Sequence, residues 1–233
     1  MLVEGFDEIQ LAIDSGHKPQ TLLSSPELVS RPLTVSAAET LTLTRPVFEK
    51  ISYRENPDGW LAVFPIPQTT FESLDSVSSL TETSLIIVAE SIEKPGNLGA
   101  MLRTCDTAGV DALLLCDPRV DAWNPNVVRA SRGAVFSVPI VECDNASAWE
   151  WLKSRSMRIV AASPAGDEIY SNVDMSPPTA VIMGTEDEGL SDFWMERADV
   201  KVKIPMTGRV NSLNVSVSTA LIVYEAVRQR GRS

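Results

Sequence analysis

The stretch Leu85-Ile86-Ile87-Val88-Ala89-Glu90-Ser91-Ile92-Glu93-Lys94-Pro95-Gly96-Asn97-Leu98-Gly99-Ala100-Met101-Leu102-Arg103-Thr104 decides the fold. It opens with an apolar, β-branched run of strand length, Leu85 to Ala89. Pro95 and Gly96 then make a tight turn, and Asn97 is placed to cap a helix that runs on to Ala108. Downstream, Ala112 to Cys116, Arg158 to Ala161 and Ala180 to Met183 are runs of the same kind, with a further helical segment at Ala146 to Arg155. Apolar strands alternating with helices predict an α/β domain whose parallel sheet is covered on both faces. The last helix, Asn214 to Gln229, puts Val217, Ala220, Leu221, Tyr224 and Val227 on one face and Arg228 and Arg230 at the negative end of its dipole.

Upstream, residues 68–84 hold nine Ser or Thr in seventeen positions, just after Pro65 and Pro67, and read as a linker. Before it, Glu8 to Ile13 reads as helix, Thr21 to Leu23, Leu41 to Leu43 and Trp60 to Phe64 as short strands, and Pro46 to Ile51 as a second helix start. The expected organisation is a small α/β domain over residues 1–67, the linker, and a larger domain over 85–233.

Composition narrows the function. Of 233 residues, 44% are hydrophobic and 22% charged, the profile of a folded globular chain. No apolar run reaches the ~18 residues of a membrane span. Glu4, Asp7 and Glu8 stand where a secretory signal would be basic, so the expected compartment is the cytoplasm. The net charge of −11 argues against nonspecific coating of nucleic acid. That charge is uneven: residues 1–82 carry 12 acids and 5 bases, residues 83–233 carry 19 and 15. Cys105, Cys116 and Cys143 lie far apart with no CxxC pair, which speaks against a disulfide framework or a metal site. They read as packing residues, with Cys105 close enough to Arg103 to make that region oxidation-sensitive. His17, the one histidine, lies in the turn-like Ser15-Gly16-His17-Lys18, so a histidine-based nucleophilic mechanism is disfavoured.

Neither GxGxxG nor GxxxxGK[ST] occurs. Three other segments stand out. The first is Glu93 to Thr104, where Asn97 reads as a helix cap and Arg103 as a surface side chain unless they act together. The second, Val181-Ile182-Met183-Gly184-Thr185-Glu186-Asp187-Glu188-Gly189-Leu190-Ser191, ends a strand in a glycine that lets a ligand approach the backbone; its plainer reading is an acidic turn. The third is Ile204-Pro205-Met206-Thr207-Gly208-Arg209-Val210-Asn211-Ser212-Leu213-Asn214-Val215-Ser216-Val217-Ser218. It sets polar groups among aliphatics at the mouth of a helix, more of them than capping explains.

In order and internal spacing the three segments resemble the motifs of the SpoU branch of the SPOUT superfamily, the RNA ribose 2′-O-methyltransferases, over residues 85–227. Arg129-Ala130-Ser131-Arg132-Gly133-Ala134 resembles a family segment between the first two motifs. The resemblance implies a deep trefoil knot in the parallel-sheet domain and S-adenosylmethionine as cofactor. It implies adenosyl binding at Gly184, Ile204, Met206 and Leu213, and a homodimer with the last helix in its interface. Phe48 to Ser52 with Gly59 to Phe64 resembles the ribosomal-protein-like substrate-binding domain that precedes the knot in many members. There a further strand and helix usually come before the Glu4-Gly5 position, so a shortened first domain is expected.

By the same resemblance Asn97, Arg103, Glu186, Ser212 and Asn214 form the catalytic set. Arg103 is the residue expected to activate the acceptor. Because a guanidinium stays protonated, its expected role is to hold the target phosphate and stabilise a developing 2′-alkoxide, oriented by Asn97 and Glu186. Ser212 and Asn214 order the loop. Arg129, Arg132 and Arg209 are candidate phosphate contacts, and Trp123 is a stacking face or a packing residue. The expected substrate is ribosomal rather than transfer RNA. Two alternatives stand beside this: a knotted RNA- or ribosome-binding protein without activity, which the intact catalytic set opposes, and a base-nitrogen methyltransferase, which the Asn-x5-Arg and Ser-Leu-Asn patterns oppose.

Overall fold

Residues 1–77, 83–209 and 212–231 are described in a computed structural model of the chain. The linker residues 78–82, Val210 and Asn211 of the third segment, and the last two residues lie outside that description.

Near the N-terminus β1 (Leu2–Glu4), α1 (Phe6–Asp14), β2 (Thr21–Ser24), β3 (Glu39–Thr42), α2 (Arg45–Ile51) and β4 (Trp60–Val63) build a four-stranded sheet in the order β1-β4-β2-β3. β4 runs antiparallel to both its neighbours, while β2 and β3 are parallel. α1 buries Ile9 and Ala12, whereas α2, begun by Pro46 in its first turn, buries Phe48 alone. The Ser/Thr-rich segment is not featureless. It carries α3 (Phe71–Val77), which buries Leu74, stacks Phe71 on Trp151 at 5.2 Å and pairs Asp75 with Arg155. Two apolar side chains placed among the hydroxyls are enough to dock a short amphipathic turn on the second domain.

The second sheet follows the alternation legible in the sequence. Its elements are β5 (Leu85–Glu90), α4 (Pro95–Ala108), β6 (Ala112–Cys116), α5 (Pro125–Ser131), β7 (Ile140–Cys143), α6 (Asn145–Ser154), β8 (Arg158–Ala162), β9 (Glu168–Ile169), β10 (Thr179–Met183), α7 (Asp192–Arg197), β11 (Val200–Lys203) and α8 (Val215–Gln229). The seven strands lie in the order β7-β6-β5-β10-β8-β11-β9 and every pair is parallel. Successive side chains of a strand point to opposite faces, and the packing obeys this. Leu85, Ile87 and Ala89 meet α4, α5 and α8 on one face, while Ile86 and Val88 meet α3, α6 and α7 on the other. Each large side chain so buried contributes roughly 1.5–3 kcal/mol.

The two sheets share one core. Val3, Ile9, Leu22 and Phe64 of the first join the α4–α5 face of the second, and Phe136, in a 3₁₀ turn after α5, touches both Phe64 (5.4 Å) and His17 (5.2 Å). His17 is thereby structural, its Nε2 lying 3.3 Å from the Phe136 carbonyl. Trp123 is partly buried against the same core.

α8 docks as expected, but by the opposite face. Val215, Thr219, Ile222, Val223 and Ala226 are buried, while Val217, Leu221 and Tyr224 remain exposed. The helix is apolar on two sides, so periodicity alone does not say which side meets its own sheet.

Candidate active site at the C-terminal edge of the parallel sheet

In a parallel sheet every strand presents its C-terminal end to one edge, and loops there converge. Gly184–Ser191 leave β10 at that edge, Ser163–Ala165 leave β8, Ile204 and Met206 follow β11, and Ser212 and Leu213 lead into α8. Together they wall a cavity of about 330 Å³ whose lining includes Met183, Leu190, Val202 and Ile222. Gly184, Ile204, Met206 and Leu213 all face it, and so does Ser212. Met206 and Leu213 are 38% and 39% exposed, large apolar side chains left in the cavity wall.

The loop itself leaves Gly184 no room for a side chain. A Cβ there would lie 2.1 Å from the carbonyl oxygen of Gly189, which also accepts from the Thr185 amide at 3.0 Å. The loop folding back on itself excludes a side chain at this position.

Beside this cavity, sharing Thr185 to Glu188 and Val215 with it, lies a smaller polar one of about 90 Å³ bounded by Lys94, Asn97 and Arg119. Here the three segments meet. Asn97 donates to Glu186 Oε1 at 3.1 Å, and Asn214 donates to Asn97 Oδ1 at 3.0 Å and to the same Glu186 oxygen. Lys94 pairs with the other Glu186 oxygen. Asn214 Oδ1 caps α8 by accepting from the Ser216 amide at 3.0 Å. The hydrogen bond from Lys94, helped by that from Asn97, holds the Glu186 carboxyl below its ordinary pKa, and Glu186 in turn raises the ammonium of Lys94.

Asn97 is therefore not the cap of α4. Pro95 is the first residue of the helix and Lys94 its N-cap, so Asn97 falls inside the first turn with its amide free to bridge Glu186 and Asn214. Arg103 is not oriented by Asn97 or Glu186 either. Six residues further along α4, it is exposed, lines neither cavity, and among the described residues its guanidinium has no hydrogen-bond or ion-pair partner. A six-residue step rotates a side chain well off the face that carries Asn97.

The three candidate phosphate contacts, Arg129, Arg132 and Arg209, line neither cavity. Arg129 is exposed at the junction of the sheets, beside Leu2, Glu4 and Tyr53. Arg132 ends α5 in the left-handed region (φ 53°). Arg209 is exposed beyond β11. Between Arg129 and Arg132 the chain packs closely on α4: a Cβ on Gly99 would stand 2.4 Å from the Cβ of Ala130. Cys105 is fully buried and burial raises its thiol pKa, so it is shielded from oxidants rather than sensitive to them.

Sequence reasoning gave no role to Lys94, Arg119 or Glu90. Arg119, in the loop after β6, pairs with Glu93 and lies 3.4 Å from Glu188, joining the first two segments. Glu90 is buried at the end of β5 and accepts from Ser191 and Asn145. A carboxylate closing an otherwise apolar strand was the available signal. Among the described residues, no helix is long and apolar enough to cross a membrane and no group of His, Cys, Asp or Glu is placed to hold a metal.

The chain is thus a parallel α/β protein with a cavity at the C-terminal edge of its sheet, bordered by loops that bring amides and one carboxylate together. Residues 84–224 match the SpoU rRNA Methylase family model, and residues 1–62 match an MRM3-like substrate binding domain. The chain belongs to the SpoU rRNA methylase family. It is similar to a 23S rRNA (uridine(2479)-2′-O)-methyltransferase of Streptomyces viridochromogenes, 31% identical over 244 residues, covering 98% of this chain and 83% of that one. A TrmH-family relative from Staphylococcus saprophyticus is 36% identical over 148 residues, 63% of this chain and 59% of the relative. Among solved structures, the SpoU methyltransferase AviRb from Streptomyces viridochromogenes with AdoMet superposes with a TM-score of 0.87 at 29% identity, over 99% of this chain and 90% of that one.

Proposed function

We propose that the chain is an S-adenosylmethionine-dependent 2′-O-methyltransferase acting on ribosomal RNA. The carrying observation is that one cavity collects Gly184, Ile204, Met206 and Leu213, while Asn97, Glu186 and Asn214 are hydrogen-bonded to each other at its border. An adenosyl group fits the chemistry of that wall: exposed apolar side chains from Met206 and Leu213 to cover its faces, and loop backbone at Gly184 and Ile204 to meet its edges. Bound there, S-adenosylmethionine supplies the electrophilic methyl group.

The chain's own residues then do the positioning. Glu186, kept ionised by Lys94, acts as an acceptor that orients a ribose hydroxyl, and its lowered pKa makes it a weak proton acceptor. Asn97 and Asn214 lock its rotamer. The Arg103 guanidinium, free of protein partners among the described residues, holds phosphate and stabilises the developing alkoxide. Arg129, Arg132 and Arg209 add backbone contacts. The reading includes the family's trefoil knot in the parallel-sheet domain. It also includes a homodimer through the exposed Val217, Leu221 and Tyr224 of α8. Tyr224 bonds Thr107, one turn beyond Arg103 on α4, at 3.1 Å, so pairing across this face sets Arg103 at the seam between two copies.

The test is transfer of labelled methyl from S-adenosylmethionine into purified ribosomal and transfer RNA, with nuclease mapping of the product. Label in a 2′-O-methyl nucleoside of ribosomal RNA is expected. Arg103→Ala should abolish transfer while cofactor affinity stays within a few fold, and sedimentation should give a dimer mass. Label in transfer RNA alone would overturn the substrate, and cofactor binding without label in any RNA would favour the inactive binding protein.

A further inference from the structure

The structure assigns Glu90 a positioning role: its buried carboxylate fixes the far end of the loop Gly184–Ser191, and through it the wall of the cofactor cavity. The inference rests on the proposed function for its consequence in catalysis, but the anchoring itself is read from the geometry. Glu90 is the last residue of β5, one beyond Ala89, which pairs in register with Met183 at the end of β10. The loop that leaves β10 therefore starts beside Glu90, and it comes back to it. The Ser191 amide donates to Glu90 Oε2 at 2.9 Å and the Ser191 hydroxyl to Oε1 at 2.6 Å. Asn145 Nδ2 donates to Oε1 at 2.7 Å, and the indole of fully buried Trp194 donates to Asn145 Oδ1 at 2.7 Å.

Two details make this more than packing. Ser191 occupies the N-cap position of α7, where a serine hydroxyl ordinarily accepts from the helix; here it makes no such bond and donates to Glu90 instead. And Glu90 is continuous with the segment that carries Lys94 and Asn97, so a single carboxylate ties the ends of the first and second segments together. An ionised carboxylate is acceptor-only, which is what three converging donors require. A glutamine of the same shape offers one acceptor oxygen and an amide that meets either the Ser191 amide or the pair of donors at Oε1 head-on. One end of the loop must then move.

The experiment compares Glu90→Gln with Asp111→Asn, a control at the opposite end of β5, where the Asp111 carboxylate accepts the Leu85 amide at 2.7 Å. Hydrogen–deuterium exchange of the cofactor-free protein is read first, then S-adenosylmethionine affinity by calorimetry, then kcat and KM for RNA, all at a temperature where denaturation curves show both variants folded. Glu90→Gln is expected to speed exchange selectively in residues 185–191, to weaken cofactor binding about tenfold and to lower kcat. Asp111→Asn should leave that loop and the cofactor affinity within twofold of wild type. Ser191→Ala, a smaller change that keeps the protein folded if Glu90→Gln does not, should reproduce part of the effect, and the double variant should be no worse than Glu90→Gln. Unchanged exchange in the loop, or equal changes in Glu90→Gln and Asp111→Asn, would overturn the positioning role. Selective loosening in Glu90→Gln, together with a wild type that binds no S-adenosylmethionine, would uphold the anchor and sink the proposed function.

Discussion

Two polar networks stand side by side at the C-terminal edge of the seven-stranded sheet, each centred on one glutamate. Glu90 is 4% exposed; its partners Ser191 and Asn145, with Trp194 bonded to Asn145 behind them, belong to loops and helices on the α6–α7 side. Glu186 is reached by solvent, and of its partners Lys94, Asn97 and Asn214 the first two line the cleft. The chemistry is alike, a carboxylate receiving amides, and the burial is opposite. A buried network unsatisfied at any point leaves a desolvated charge, so it holds one geometry; an exposed one can exchange a protein donor for a ligand at small cost. The first is a fixture and the second a work surface.

This contrast can be broken. Asn145→Ala strips one donor from Glu90 and the only acceptor shown for the Trp194 indole, and should destabilise the fold by about 3 kcal/mol, seen as a lower urea midpoint at unchanged slope. Glu186→Gln should leave the urea midpoint nearly in place but slow methyl transfer by roughly 10²-fold, as loss of an orienting group does. The same glutamate sets a pH signature. Because its folded pKa is depressed, the stability it contributes is present above about pH 4.5 and lost as the pH falls through the folded value. The stability gap between wild type and Glu186→Gln should therefore be flat at neutral pH and close in acid, as titrated by denaturation at stepped pH. Smallest of all, Arg119→Ala removes an exposed fork between Glu93 and Glu188 and should shift stability by less than about 1 kcal/mol. A larger loss would place Arg119 with the fixtures.

Much of the second sheet was legible because β5, β6, β8 and β10 are buried on both faces, and a strand with no solvent side writes itself as an unbroken apolar run. β11 was not, since Val200-Lys201-Val202-Lys203 alternates, and β9 has two residues, too few for any period. The site was half legible. Gly184, Ile204, Met206 and Leu213 announced themselves through the motifs that carry them. The bridge from Asn97 to Glu186 and Asn214 spans 89 and 117 positions and exists only once β5 and β10 are neighbours. Asn97 misled because the helix start was placed three positions late: Pro95 opens the helix, and the capping position passes to Lys94. Glu90 was hidden by its neighbours, as a charge at the end of a strand ordinarily points to water.

The contact of Phe136 with Phe64 and His17 carries one more consequence. It fuses the four-stranded sheet to the seven-stranded one through a common interior, so the chain should melt in a single transition and not as two bodies on a string. On the proposed function, an RNA held by the first sheet would reach the cavity at a set span, and the chain would act as a caliper, choosing its target by distance as much as by shape.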